Sequence, residues 1–233
     1  NAVLRTSDVP PVDPWFSGES MNYYYMGYSI VGVLIHLTDV TPAVGYNLAL
    51  AVVLGLAAVV AGSAGYDIST LVGAGRLGRR TSGVLSGTLV VVAGNLAVTR
   101  EVLKGPAIDA QGFWQGIGWH ASRTIQRETS EGLVDYTINE FPAFSFILGD
   151  LHPHVMALPF TALAVSVAVQ WMVAGSTRVH EERWLRLVRA SLTGLLLGAL
   201  YSINAWDAPT FAGLVIVGAG LVVVGSVERM RAF

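Results

Sequence analysis

The sequence predicts an all-α, polytopic transmembrane bundle, and three observations carry that prediction. Of the 233 residues, 53% are hydrophobic and 13% are charged, where a soluble domain has about 25% charged residues. The mean hydropathy is +0.56. The apolar residues also gather in runs long enough to cross a bilayer, which takes about 20 residues. A net charge of -2 leaves no basic excess for nucleic acid, so the lipid bilayer is the expected partner. Cysteine is absent, which excludes disulfides and thiolate metal sites and leaves any metal to histidine and carboxylates.

Residues 1–22 hold Pro10, Pro11, Pro14 and Gly18 with Asp8, Asp13 and Glu19, the composition of a loop, expected on the external side. No charged n-region and apolar h-region of a signal peptide opens the chain at Asn1. A longer or processed protein, with a helix before Asn1, is therefore expected. Tyr23, Tyr24 and Tyr25 lead into an apolar run at 26–37. Tyrosines at such a mouth fit an interfacial aromatic belt, and Tyr24 is also a candidate contact for a substrate. The run is only about a dozen residues, so it is expected to be re-entrant or buried in protein rather than a full span.

Residues 43–62 are long enough to cross, with Pro42 suited to a first helical turn. Arg76, Arg79 and Arg80 follow in a Gly-rich stretch read as a loop, and 84–98 is apolar again. Together 23–98 form the first helices, and 99–154 reads as an external polar segment with re-entrant or interfacial parts. The last helices occupy 155–233: an apolar run at 155–173, a basic loop from Arg178 to Arg189, and spans at 192–203 and 211–224 hinged at Asn204 to Pro209. The whole is one transmembrane domain. Positive charge favours the cytoplasmic side, which sends both arginine loops inward and puts 100–154 and Asp207 on the external face. The crossing parity of the two earliest apolar segments stays open. Gly83-x-x-x-Gly87 and Gly194-x-x-x-Gly198 match the small-residue spacing of close helix contacts.

The chemistry concentrates at 137–160, where Glu140, Asp150, His152 and His154 interrupt sequence otherwise fit for lipid. Ionisable groups are costly there unless used. Asp150, His152 and His154 fall at i, i+2 and i+4, and Pro153 disfavours a helical His152. In an extended segment alternate residues point the same way, so the three converge on one face. Such a row suits a divalent cation, manganese or magnesium ahead of zinc, or a phosphate held by protonated histidine. The competing reading has Asp150 capping a helix near Val155 and the histidines bonded to carbonyls.

Glu140 is a base or metal ligand, or simply an interfacial carboxylate. Arg123 and Arg127 share a face if helical, either as a phosphate clamp or as the polar side of an interfacial helix. Asp13 lies in a loop stiffened by Pro14, beside Trp15, which can stack on a sugar or anchor at the interface. Asp207 is a ligand or the N-cap of the last span.

The blocks Asn22-Tyr-Tyr-Tyr-Met-Gly-Tyr28, Tyr46-Asn-Leu48, Gly94-Asn-Leu96, Thr137-Ile-Asn-Glu-Phe-Pro142 and Gly149-Asp-Leu-His-Pro-His154 together resemble the YYY membrane-protein family of bacteria and archaea, along nearly the whole chain. The family is more distantly similar to the GT-C membrane glycosyltransferases. In oligosaccharyltransferase catalytic subunits the acidic motif of the first external loop reads Asp-Pro-Trp-Phe, as Asp13 to Phe16 do here. That resemblance implies Asp13 as a metal-binding or basic acid, Asp150 with His152 and His154 as a second external site, and a polyprenyl-phosphate-linked sugar as donor. The Asp-Leu-His-Pro-His block is not a usual element of those enzymes.

The expectation is thus a membrane glycosyltransferase that moves a sugar from a polyprenyl-phosphate donor on the external face. Its candidate acids are Asp13, Asp150 and Glu140, its substrate contacts Trp15, Tyr24, Arg123, Arg127 and Asp207, and its metal ligands Asp150, His152 and His154. The first rival is a non-catalytic subunit that assembles with other membrane proteins through its Gly-rich faces. A transporter module is the second, ranked lower because no inverted repeat is visible.

Overall fold

The computed structural model describes residues 2–16, 18–93, 95–105, 118–128, 132, 134–176 and 182–231. The elements are α1 (Ala2–Arg5), α2 (Met26–Thr38), α3 (Pro42–Leu71), α4 (Arg76–Val92), α5 (Leu96–Leu103), α6 (Trp119–Ala121), β1 (Ile125–Glu128), β2 (Val134–Thr137), α7 (Pro142–Leu148), α8 (Pro153–Ser176), α9 (Arg183–Ile203) and α10 (Asp207–Arg231). The helical fold class holds, and the polar segment adds one short hairpin. Two compact units emerge, the first made of Asn1–Gly87 with Leu151–Phe233 and the second of Thr88–Asp150.

In the first unit α8 packs against α3, α9 and α10. The side of α3 turned inward is nearly all small: Ala49, Val53, Ala57, Ala61 and Ala64 are buried and recur every three or four residues, one stripe of a helix. Leu50 is buried with them, while other large side chains point the other way, with Leu56 50% and Val59 68% exposed and Ala57 0%. This is the inside-out pattern of a helix in lipid. Bulky apolar groups meet hydrocarbon at no cost, and small ones let backbones approach. α3, α8 and α9 are each long and apolar enough to cross a membrane, and the α4–α5 pair adds a fourth if it counts as one broken span. α2 has 13 residues, about 20 Å at 1.5 Å per residue, short of a hydrocarbon core of about 30 Å.

Two hydrogen bonds fix how α3 and α8 run. Near their starts, the Leu151 amide donates to the Tyr46 hydroxyl at 2.9 Å. Near their ends, Gln170 Nε2 donates to Asp67 Oδ2 at 2.8 Å. Start meets start and end meets end, so the two helices are parallel. α4 returns antiparallel to α3: Gly83 faces Gly62 and Gly87 faces Ala58, one index rising as the other falls. A Cβ on Gly87 would stand 2.5 Å from the Ala58 carbonyl oxygen, so the expected small-residue contact is made here. At Gly194 and Gly198 an added Cβ meets nothing within 4 Å; that motif faces open space within the first unit.

The second unit is built on two asparagines. Asn95 caps α5, its Oδ1 accepting from the Ala97 amide at 3.0 Å, and its Nδ2 donates to the Ala121 carbonyl at 2.6 Å. Asn139 Oδ1 accepts from Thr124 N at 3.2 Å, Thr124 Oγ1 at 3.0 Å and Ile125 N at 3.2 Å. Its own amide donates to Ser122 O at 2.7 Å. Those bonds close the base of the β1–β2 hairpin, which pairs Ile125 with Thr137 and Glu128 with Val134.

Several expectations are corrected. Arg76, Arg79 and Arg80 are the first turns of α4, not a loop, and Arg183, Arg186 and Arg189 open α9, which starts well before residue 192. α3 runs on to Leu71 rather than ending at 62. The apolar run at 84–98 is broken between Val92 and Leu96, where Asn95 starts a new helix.

Because the Gly87 contact leaves no room for a methyl group, Gly87→Ala should cost about 1–3 kcal/mol by overpacking. Gly194→Ala, facing open space, should fall within about 0.5 kcal/mol of the parent. Thermal unfolding of the detergent-solubilised variants distinguishes the two.

Candidate functional site

At the mouth of α8, Leu151 and Pro153 are fully buried and fix the backbone on either side of His152. Pro153 is the first residue of α8, as suits a residue without an amide hydrogen. His152 therefore stands just outside the helix and His154 in its first turn. Their Nδ1 atoms are 2.8 Å apart, and the rings lie 4.5 Å between centroids at 45°. Both side chains are half-buried.

At that separation one nitrogen can donate and the other accept, the roles following from the ring tautomers. With both lone pairs turned outward, the same atoms could share a cation. Of the expected row Asp150, His152 and His154, the two histidine rings meet, through a helix start rather than an extended run. Asp150 closes the second unit while His152 belongs to the first, and the helix begins at Pro153, so Asp150 is not its cap. Asp150 is half-buried, and its amide donates to Ser145 O at 2.9 Å.

The second unit contains a cavity of about 690 Å³ whose walls include Asn95, Arg100, Glu101, Trp119, His120 and Arg123. The Arg123 guanidinium carbon lies 3.5 Å from the centre of the Trp119 ring, and its Nη1 donates to Ser122 Oγ at 2.8 Å. A guanidinium stacked on indole keeps its edge for a further ligand. Among the described residues Glu101 is the one carboxylate in the wall. Lys104 Nζ reaches its Oε1 at 2.6 Å, and His120 Nδ1 lies 3.8 Å from its Oε2. Among the described residues of the wall, Glu101 is matched by Lys104, and Arg100 and Arg123 add two guanidinium groups. This arrangement suits a phosphate or another planar or tetrahedral anion. Arg127 is not Arg123's helical neighbour: it lies in strand β1, and the condition for an i, i+4 clamp fails.

None of the other candidates is among the described residues that line that cavity. Asp13 is half-buried, and its Oδ1 accepts from Trp15 N at 2.8 Å and Phe16 N at 3.1 Å, a side chain spent partly on shaping its own loop. Trp15 is 96% exposed. Tyr24 is half-buried, its ring 5.3 Å from that of Tyr23. Asp207 opens α10 and its Oδ2 accepts from Asn204 Nδ2 at 2.9 Å. Glu140 is exposed beside Phe141. Arg100 and Glu101 are not among the sequence candidates, and Asn95 enters only within the Gly94-Asn-Leu96 block. Its local signal is that of a cap-forming residue inside an apolar run.

The model of the family described as uncharacterized membrane protein (DUF2298) matches residues 1–232. No curated protein and no solved structure matches the chain.

The Tyr46 hydroxyl accepts the amide hydrogen of the fully buried Leu151. Tyr46→Phe should therefore cost about 1–3 kcal/mol, the penalty of an unsatisfied buried donor. Faster hydrogen exchange at the Leu151 amide, with that at Leu196 in α9 unchanged, is the expected local signature. Equal protection in both proteins would sink the assignment.

Proposed function

The chain belongs to the DUF2298 family of uncharacterized membrane proteins, and on that premise we propose that it is a membrane transferase of the GT-C kind, taking a sugar from a polyprenyl-phosphate donor on the external face. The tyrosine triplet at Tyr23 to Tyr25 and the blocks at 137–142 and 149–154 support assigning it to the YYY branch of such proteins. The observation that carries the reading is the cavity of the second unit, with Arg100 and the Trp119-stacked Arg123 in its wall. A chain this apolar has little reason to retain a recess lined by guanidinium groups unless an anion visits it.

In the proposed reaction an acceptor hydroxyl loses its proton to a carboxylate and attacks the sugar's anomeric carbon. The bond from that carbon to the phosphate oxygen breaks, and the phosphate leaves with the electron pair. Removal of the hydroxyl proton is worth about 100- to 10,000-fold, and arginines facing the phosphate stabilise the charge that develops on it. Arg123 and Arg100 take the phosphate in this scheme, with Arg100 replacing Arg127 of the original clamp. Asp13, Asp150 and Glu140 remain the candidate bases, by motif. Trp15, Tyr24 and Asp207 remain the candidate sugar contacts. A divalent cation, where used, would bind through the His152–His154 pair.

Membranes containing the protein, supplied with undecaprenyl-phosphate-linked hexose, test this. Transfer should occur, and Arg123→Gln should lower it by about 10- to 1,000-fold, the range for removing one charge-stabilising donor. Arg127→Gln should leave it within about twofold of the parent, a difference below 0.5 kcal/mol. Absence of transfer from the parent protein with undecaprenyl- and dolichyl-linked hexoses alike would overturn the reading. A second reading, a subunit within a larger membrane complex, draws support from Gly194 and Gly198, whose small-residue face meets nothing within 4 Å. Stoichiometric copurification of a second membrane protein, lost in Gly194→Leu, would favour it.

A further inference from the structure

At the mouth of α8, buried and half-buried residues alternate. Leu151, Pro153 and Val155 are packed into the first unit, Leu151 at 0% and Val155 at 1% exposure, while His152 and His154 between them are half-buried. The backbone that carries the two rings is held at several points. The Leu151 amide is tied to the Tyr46 hydroxyl at 2.9 Å. The His152 carbonyl accepts the first helical bond of α8 from the Met156 amide at 3.0 Å, and the ring of Pro153 fixes φ between the two histidines.

The two Nδ1 atoms stand 2.8 Å apart. Nitrogens bound to one cation at about 2.0–2.1 Å, with an angle of roughly 90° to 110° between them, are about 2.8–3.4 Å from each other. The pair is therefore spaced as two neighbouring corners of a coordination shell. A turn of each ring about its Cβ–Cγ bond, with the ring proton kept on Nε2, aims both lone pairs at one point.

We propose that His152 and His154 chelate a divalent cation of the zinc, nickel and copper class through their Nδ1 atoms, in preference to magnesium or manganese. The donor chemistry selects the ion. Imidazole suits zinc, copper and nickel, whereas magnesium and manganese favour carboxylate, carbonyl and water oxygens. This order is the reverse of the one expected for a row that includes a carboxylate. Ligands on a fixed backbone lose little freedom on binding, and the second nitrogen closes on a cation that the first already holds. The positive end of the α8 dipole opposes a cation here by less than about tenfold in affinity, which a second imidazole outweighs. The remaining coordination positions fall to water or to other oxygen ligands. Binding does not depend on the transfer reaction, in which a cation is optional, and is read without donor or acceptor.

Detergent-purified protein without a histidine tag, stripped with a chelator and titrated with zinc in a calorimeter, tests the assignment. The parent should bind zinc and keep it against a roughly hundredfold excess of magnesium or manganese. His152→Ala and His154→Ala should each weaken zinc binding by at least about tenfold, the lower end of the loss caused by removing even a group that only supports a metal ligand. His36→Gln, which removes an exposed histidine of α2, should leave it unchanged. Should the alanine variants fail to fold, the parent loaded with copper(II) still decides: its electron paramagnetic resonance spectrum should show coupling to two imidazole nitrogens, and coupling to fewer would overturn the chelate. So would no zinc binding by the parent, as expected if the rings serve only to bond each other. Displacement of zinc by magnesium or manganese, or undiminished affinity in folded His152→Ala, would also overturn it. Zinc binding without any sugar transfer would strike the transferase reading alone.

Discussion

The constraint on which the first unit depends is the parallel clamp between α3 and α8. In water, two apolar helices are driven together by burial. In lipid that drive vanishes, because the surrounding chains are as apolar as leucine. What remains is close van der Waals contact and a small number of polar bonds. The alanine stripe of α3 supplies the first, bringing its backbone against α8. Tyr46–Leu151 and Asp67–Gln170 supply the second, one near each end. Two bonds so far apart fix register as well as proximity, since sliding either helix by a turn would break both. The mouth of α8 is therefore held in place, and with it the His152–His154 pair.

The second unit solves a different problem. Among its described residues there is no long apolar helix, and their order rests on hydrogen bonds made by side chains to backbone groups that regular structure leaves open. Asn95 satisfies an amide of α5 and reaches the carbonyl that ends α6. Asn139 gathers three donors from Thr124 and Ile125 onto one oxygen. An unpaired backbone group away from water costs as much as a lost hydrogen bond, and the part-buried bonds of Asn95 remove that penalty, while those of Asn139 hold an exposed turn. The cavity with Arg100 and Arg123 in its wall sits within this framework. A guanidinium that is stacked on Trp119 and bonded to Ser122 has lost most of its freedom before any ligand arrives, which lowers the entropic cost of binding.

The long spans were legible because hydrophobic runs report directly on lipid contact, and the close approach at Gly87 was legible because small residues at four-residue spacing report on packing. Helix starts were not. Arg76 to Arg80 and Arg183 to Arg189 look like loops because charge is usually read as solvent, yet arginines in a first turn can extend to the interface while the backbone is already helical. The His152–His154 convergence could be read from spacing, since both lie in one short stretch. The cavity could not: Arg100, Trp119 and Arg123 are brought together by Asn95 bonding across to Ala121, and no local periodicity encodes that. Arg127 misled for the complementary reason, because a four-residue spacing has helical meaning only where the chain is helical.

The antiparallel turn between α3 and α4 bears on how the protein is made. Residues 72–75 join α3 to α4 with almost no polar chain between them, so the two helices meet through neighbouring turns of one chain. α8 runs parallel to α3, and its partner contact has to wait until the chain from Arg76 to His152 has been made. Synthesis therefore divides in two: a local contact between α3 and α4 that can form as soon as both exist, and a clamp to α8 that closes only after the intervening chain is complete.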